Sequence, residues 1–200
     1  MKESDFKSSE ELYFFWYLSE LKESGFVKEF RYEPYSLVLG KAIDLTAYVK
    51  SKKVIKEKPY PLIKERDYTL DFEIEWTELA YDIFFRTLDC PYSPDIPFLA
   101  QGLITLLEVK GNFDMNGKVG EAKIKRDWLM YQHGIYVQVV IPVPRMSKGK
   151  VLMRHAVFNK TFTPQRYLLT DKDMTKRTIN YEVRSLEEYV ALRRLPSKFI

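Results

Sequence analysis

The stretch of residues 102–111, GLITLLEVKG, limits the possible folds of this chain more than any other. Leu103, Ile104, Leu106, Leu107 and Val109 crowd into seven positions between two glycines. That run is too short for a buried helix and too apolar for a strand with one wet face, so it predicts a strand covered on both sides. A sheet built around such a strand needs a layer above and a layer below, which implies an α/β architecture. The only charges in the run, Glu108 and Lys110, lie at its end. Side chains two apart on a strand point the same way, so these two project together.

The rest of the chain supplies the layers. Residues 9–24 read as a helix, with Leu12, Phe15, Trp16 and Ser19 on one face and Phe14, Leu18 and Leu21 widening the stripe. Ser8 and Glu11 have capping-box spacing at its start, and Gly25 ends it. Residues 26–30 and 35–38 read as short strands or irregular segments and 44–49 as a further strand, followed by a basic, proline-punctuated stretch at 50–61 that reads as an exposed hairpin tip or loop. Residues 66–76 alternate as one strand, with Tyr68, Leu70, Phe72 and Ile74 on one side and Thr69, Asp71, Glu73 and Glu75 on the other. Residues 77–88 can be drawn as a short amphipathic helix, although their aromatic content also allows a strand, and three prolines within 90–97 break regular structure. The whole of 77–101 therefore reads as an insertion between two central strands. After a turn through Asn112, Asn116 and Gly117, residues 120–132 form a predicted helix with Ala122, Ile124, Trp128, Leu129 and Tyr131 as buried candidates. An apolar strand follows at 135–143. Helix, strands, helix, strand in this order implies a mixed sheet with helices packed on it, in one domain of 200 residues.

Composition supports a folded chain, with 46% hydrophobic residues, 14 Tyr and 13 Phe to build a core. The single cysteine, Cys90, cannot form an internal disulfide, and neither a secretion signal nor an 18-residue apolar run is present, so a reducing cytoplasm and no membrane partner are expected. Charge is unevenly spread. Residues 1–144 hold 19 Lys plus Arg against 23 Asp plus Glu, whereas 145–200 hold 13 against 5. A basic C-terminal portion, including Arg145, Lys148, Lys150, Arg154, Lys160 and Arg166, suits phosphate contacts, and an acidic remainder suits cations. Solubilising surface is the alternative reading of the same charges.

Asp71 on the polar side of one strand and Glu108 at the end of the next are oxygen donors of the kind a hard Mg²⁺ ion prefers. The Val109 carbonyl can add a third oxygen, and Lys110 can position or deprotonate a water or stabilise charge. Phosphodiester hydrolysis needs these functions together. Each acid alone is equally at home on a solvated strand.

The segments Ser8-Ser9-Glu10-Glu11, Tyr68-Thr69-Leu70-Asp71-Phe72 and Leu107-Glu108-Val109-Lys110-Gly111 resemble the PD-(D/E)XK nuclease superfamily. Ile124-Lys125-Arg126-Asp127-Trp128 and Tyr131-Gln132-His133-Gly134-Ile135 are similar to small phage endonucleases and Holliday-junction resolvases within it. The resemblance covers residues 8–143. It implies a restriction-endonuclease-like mixed central sheet, catalytic roles for Asp71, Glu108 and Lys110, and a helical glutamate, Glu11 or else Glu10, completing a Mg²⁺ site that Mn²⁺ can also fill. It also implies DNA as the partner, a bacterial or phage-infected cell as the setting, and a homodimer for paired cuts in junctions. Two features depart from the family pattern: Leu70 where proline is frequent, and the 37-residue spacing of the two acids. A transposase-type or restriction-type end-cutting subunit, working with an additional protein, and a non-catalytic DNA-binding phage protein stay open as alternatives.

Lys125 and Arg126 are candidates for phosphate contact or for a plain solvated face. His133 is placed to be satisfied by a helix end. With only His133, His155 and Cys90 available, a structural zinc site is disfavoured. Trp16, Trp76 and Trp128 read as packing residues.

Overall fold

The computed structural model describes residues 3–51, 54–90, 93–111, 119–144, 146–147, 150–151, 156–169 and 175–194. Helix α1, Ser9–Glu23, starts as the sequence predicts: Ser8 is extended, and its Oγ accepts from the Glu11 amide at 3.2 Å. Gly25, at φ 79°, takes the left-handed conformation that stops the helix, which costs a glycine little. Strands β1 (Val27–Tyr32), β2 (Ser36–Gly40), β3 (Ile43–Ser51), β4 (Val54–Ile63), β5 (Arg66–Thr69) and β6 (Phe72–Trp76) follow. They form a nested ribbon in which β3 pairs with β4, β2 with β5 and β1 with β6, all antiparallel.

Only the β1–β6 pair, at the base of the ribbon, joins the central sheet. With β7 (Phe85–Thr87), β8 (Phe98–Ala100), β9 (Ile104–Val109), helix α2 (Val119–His133) and β10 (Val137–Val140), the chain completes a four-stranded mixed sheet in the order β1-β6-β9-β10. Its first three strands are antiparallel and β10 runs parallel to β9. The protein is thus a mixed α/β fold with a central mixed sheet flanked by helices.

The central strand β9 is buried on both faces, as its composition requires. Leu107 and Val109 pack toward α1 with Phe72, Ile74, Trp76, Phe14, Leu18 and Leu21. Leu106 packs toward α2 with Leu39, Tyr68, Leu70, Leu129 and Val137. Two polar atoms inside the first layer are satisfied by one another, since the Trp76 indole N–H donates to Thr105 Oγ1 at 2.7 Å.

Several elements differ from the expected ones. The strand expected at 66–76 is broken into β5 and β6 at Leu70 and Asp71. The break sends Tyr68 and Leu70 into the α2 layer and Phe72, Ile74 and Trp76 into the α1 layer. The helix expected at 77–88 is a single 3₁₀ turn, Glu78–Ala80, followed by β7, because Phe84 and Phe85 both turn into the core. The last predicted strand shortens to β10. On α2 only Leu129 of the expected apolar set is fully enclosed; Ile124 and Tyr131 are 65% and 92% exposed, so the helix buries a narrower stripe than its composition suggests. The turn expected through Asn112, Asn116 and Gly117 lies outside the described residues.

Residues 77–101 are not an appendage to the sheet. Ala80, Phe84, Phe85, Phe98 and Ala100 are fully buried, and Phe84 and Phe85 stack on Trp76 with ring centroids 6.3 and 5.5 Å away. Helix α4, Leu186–Arg194, closes over them, with Tyr189 donating to the Ile83 carbonyl at 3.0 Å, after the short α3, Val157–Lys160. Phe14 and Tyr17 of α1 are fully buried in the same core as Phe84, Phe85 and Phe98 of this segment. Phe84→Ala should cost about 3–5 kcal/mol, as a large cavity in a rigid core does. Urea unfolding checks this; a loss below about 1 kcal/mol would mean that the segment packs loosely.

Candidate functional site

The break between β5 and β6 creates the site. Beyond the last pair, Phe72 with Leu107, antiparallel register brings Asp71 opposite Glu108. The Asp71 amide donates to the Leu107 carbonyl at 3.1 Å, and Asp71 Oδ2 accepts from the Val109 amide at 2.7 Å. Glu108 leaves β9 on the α2 side, where it is 8% exposed and accepts a hydrogen bond from the Tyr68 hydroxyl. Its other oxygen pairs with Lys110 Nζ at 2.5 Å. The expectation that Glu108 and Lys110 project together is met, and Asp71 is beside them.

The helical glutamates approach from the other layer. Glu11, 7% exposed, accepts from the Lys7 amide at 3.0 Å, from Ser8 Oγ at 3.0 Å and from the Tyr32 hydroxyl at 2.6 Å. Its carboxylate thus closes the helix cap and ties α1 to β1. Glu10 lies against the end of β9: a Cβ on Gly111 would sit 3.1 Å from its Oε1, so a side chain there would require the Glu10 carboxylate to shift slightly. Both candidates reach the same end of the sheet.

Burial and like charge act together on Asp71. Its pKa is pushed up to about 7, first by burial and then by the Glu108 carboxylate. The Val109 hydrogen bond and Lys110 oppose the rise, and Glu11 adds to it. The Tyr68 phenol is driven well above its ordinary range by burial first and then by Glu108, so it stays a donor. Tyr32 behaves the same way, through burial and then its bond to Glu11. Lys7 is raised chiefly by its bond with Glu33, and Glu11 and Asp71 contribute to it from farther away.

Among the described residues, no three His, Cys, Asp or Glu side chains are grouped closely enough to hold a metal ion as they stand. The physical reason is that each acid has a protein partner: Glu108 is engaged by Tyr68 and Lys110, Glu11 by the cap and Tyr32, and Asp71 by Val109. The fit to a divalent cation lies in donor type and charge. Hard oxygen donors repel one another in a partly dry place, which is the condition a divalent ion relieves. Family models, curated proteins and solved structures give no match to this chain.

Tyr68, Tyr32 and Lys7 were not marked by the sequence pattern. For Tyr68 a signal existed, since a hydroxyl on an apolar strand face must find a partner when buried. Tyr32 and Lys7 carry none, because their roles arise from the packing of α1 on β1. Arg126 also belongs to this neighbourhood: its charge lowers the pKa of Tyr68, and Nη1 donates to the Val137 carbonyl at 3.4 Å. His133 contacts the Val38 carbonyl through Nε2 at 3.3 Å, in keeping with a structural role. Of the basic C-terminal residues, Arg145, Lys148, Arg154 and His155 lie outside the described set. Lys160 donates to the Pro94 carbonyl at 2.8 Å and Arg166 lies 4.6 Å from the Trp16 ring.

The raised pKa of Asp71 fixes a pH dependence. A folded-state value near 7 against an ordinary 3.8 means that the folded chain holds a proton which the unfolded chain releases. This contribution to stability is complete below about pH 4 and is lost as pH rises through about 7. In chelator, Asp71→Asn should leave stability nearly unchanged at about pH 3.5, below the ordinary carboxyl value of 3.8. At pH 8 it should raise stability by on the order of 1–3 kcal/mol, after allowance for partial solvent screening. Thermal melts at the two pH values read the effect, and a variant less stable than the parent at pH 8 would contradict it.

Proposed function

We propose that this protein is a Mg²⁺-dependent endonuclease acting on DNA, with a restriction-endonuclease-like site built on β6 and β9. The observation that carries this reading is the facing of Asp71 and Glu108 on adjacent central strands, with Lys110 ion-paired beside them. Such an arrangement sets a half-buried acid against a buried one in mutual repulsion, at a cost in stability that packing alone does not explain. The motif order read from the sequence agrees with it.

In this reading Asp71 and Glu108 would hold the ion, with the Val109 carbonyl and Glu11 or Glu10 of α1 as further oxygen donors. When bound, the ion would polarise the phosphate and lower the pKa of a water. Tyr68 fixes the orientation of Glu108 through its hydroxyl, and the Val109 amide does the same for Asp71. Lys110 holds a positive charge next to Glu108, where it neutralises part of the charge that accumulates on a phosphate under attack. Tyr32 and the helix cap keep Glu11 at the rim of the site.

Glu108→Gln and Lys110→Ala should each lower cleavage of plasmid and branched DNA in Mg²⁺ by at least about 100-fold. The fold should be retained, as judged by circular dichroism, and DNA binding measured in chelator should change little. Mn²⁺ or Mg²⁺ should also raise the melting temperature of the parent but not of Asp71→Asn. Cutting at the parental rate by either variant, or no cutting by the parent with either ion, would refute the assignment.

A further inference from the structure

The outer part of the nested ribbon, β3 with β4, is a two-stranded arm that extends beyond the sheet. Its strands pair from Ile43 with Ile63 to Ser51 with Val54 and pack extensively on no other element among the described residues. All of β4 is exposed, including Ile55 at 67% and Tyr60 at 59%, and Tyr48 of β3 is 69% exposed. A bare two-stranded ribbon is marginal in water. Apolar side chains open to solvent on both of its faces imply that something covers them.

Charge says what kind of surface that is. Residues 41–65 hold seven lysines and three acids, while the other residues within 1–144 hold 12 basic and 20 acidic side chains. The stretch that carries the arm is therefore net positive within an otherwise net acidic part of the chain. Register places Lys56 and Lys58 on one face, with Leu45, Val49 and Tyr60, and Lys50 on the other, with Tyr48 and Ile55. Lysines point away from both faces, as contacts to phosphates on the two sides of a groove require.

Pro59 and Pro61 weigh against a protein strand as the occupant. They sit two apart on β4, opposite Thr46 and Asp44, and neither can donate an N–H to a strand added along β4. A second copy of the arm would also bring like charge against like charge.

Dimensions agree with a duplex. Nine residues of strand span about 30 Å, close to one turn of B-form DNA at roughly 34 Å, and the major groove accepts a two-stranded ribbon. The arm is also connected to the candidate site. Moving inward, β3–β4 gives way to β2–β5, and the next junction is Asp71 itself, whose carbonyl accepts from the Glu33 amide at 2.9 Å. A duplex seated along the ribbon is thereby led toward Asp71 and Glu108.

We propose that the β3–β4 arm is a DNA-binding ribbon that lies in a groove of the duplex. Lys50, Lys56 and Lys58 contact phosphates, and Tyr48, Tyr60 and their apolar neighbours contact sugars and base edges. The choice of DNA rests on the nuclease reading of the site; the preference for a polyanion rests on the arm alone.

The test compares the parent with Lys50→Gln/Lys56→Gln/Lys58→Gln, three exposed substitutions that touch no core residue. Binding to a fluorescent 30-base-pair duplex is measured by anisotropy in chelator between about 50 and 200 mM salt. The variant should bind about tenfold or more weakly, and its log–log salt slope should shrink by about 2 to 3, near 0.9 for each phosphate that a lysine no longer neutralises. An unchanged affinity and slope, with the variant folded, overturns the proposal. So does sedimentation showing a parental oligomer that the variant no longer forms while its DNA binding is intact, which would make the arm a subunit contact. Lysine-dependent duplex binding by a parent that cuts no DNA supports the arm and refutes the nuclease reading, so the two ideas fail separately.

Discussion

Asp71 is fastened to β9 through both its backbone and its side chain. The amide donates to Leu107 and the carboxylate accepts from Val109, two residues on, so a single residue bridges the strand it faces. Everything near the site follows from this attachment. It ends β6, frees β5 to leave the sheet, and turns Tyr68 toward Glu108 instead of toward α1. Had 66–76 run as one strand, strict alternation would have put Tyr68 and Phe72 in the same layer. The break lets one short sequence serve two cores.

That fastening carries an electrostatic cost which the rest of the site shares. Asp71, Glu108 and Glu11 influence one another, and the cation in direct contact with this set is Lys110, through Glu108. The surrounding structure distributes hydrogen-bond donors: a phenol to Glu108, an amide to Asp71, and a phenol, a hydroxyl and an amide to Glu11. Each donor holds a carboxylate in one orientation at the expense of keeping it apart from the others. The result is a set of carboxylates that are each oriented and held apart from one another.

The sequence made the central strand, both long helices, the capping box and the pairing of Glu108 with Lys110 readable, because each rests on local periodicity or spacing. GLITLLEVKG needs nothing outside itself to be read as a doubly buried strand. What could not be read depends on contacts between distant residues. Phe84 and Phe85 have helical spacing partners in 77–88, yet their rings belong against Trp76, and tertiary packing overrides the local pattern. The break at Asp71 was hidden because Tyr68, Leu70, Phe72 and Ile74 alternate perfectly; only the two separate layers show that the alternation is not one strand. Hydrophobicity on α2 misled for the opposite reason, since Ile124 and Tyr131 are apolar but face outward.

The nesting of the ribbon bears on how the chain can fold. Val27 and Trp76 are partners in the sheet although 49 positions separate them. Closing a loop of that length in one step carries a large entropic barrier and is slow. Here the turn at the tip can close first, joining Ser51 to Val54, and each later pair needs only a few more residues to be brought together. Zippering from the tip through β2–β5 to β1–β6 would replace one distant encounter by a series of local ones, which lowers the loop-closure entropy that the edge carrying Asp71 would otherwise face.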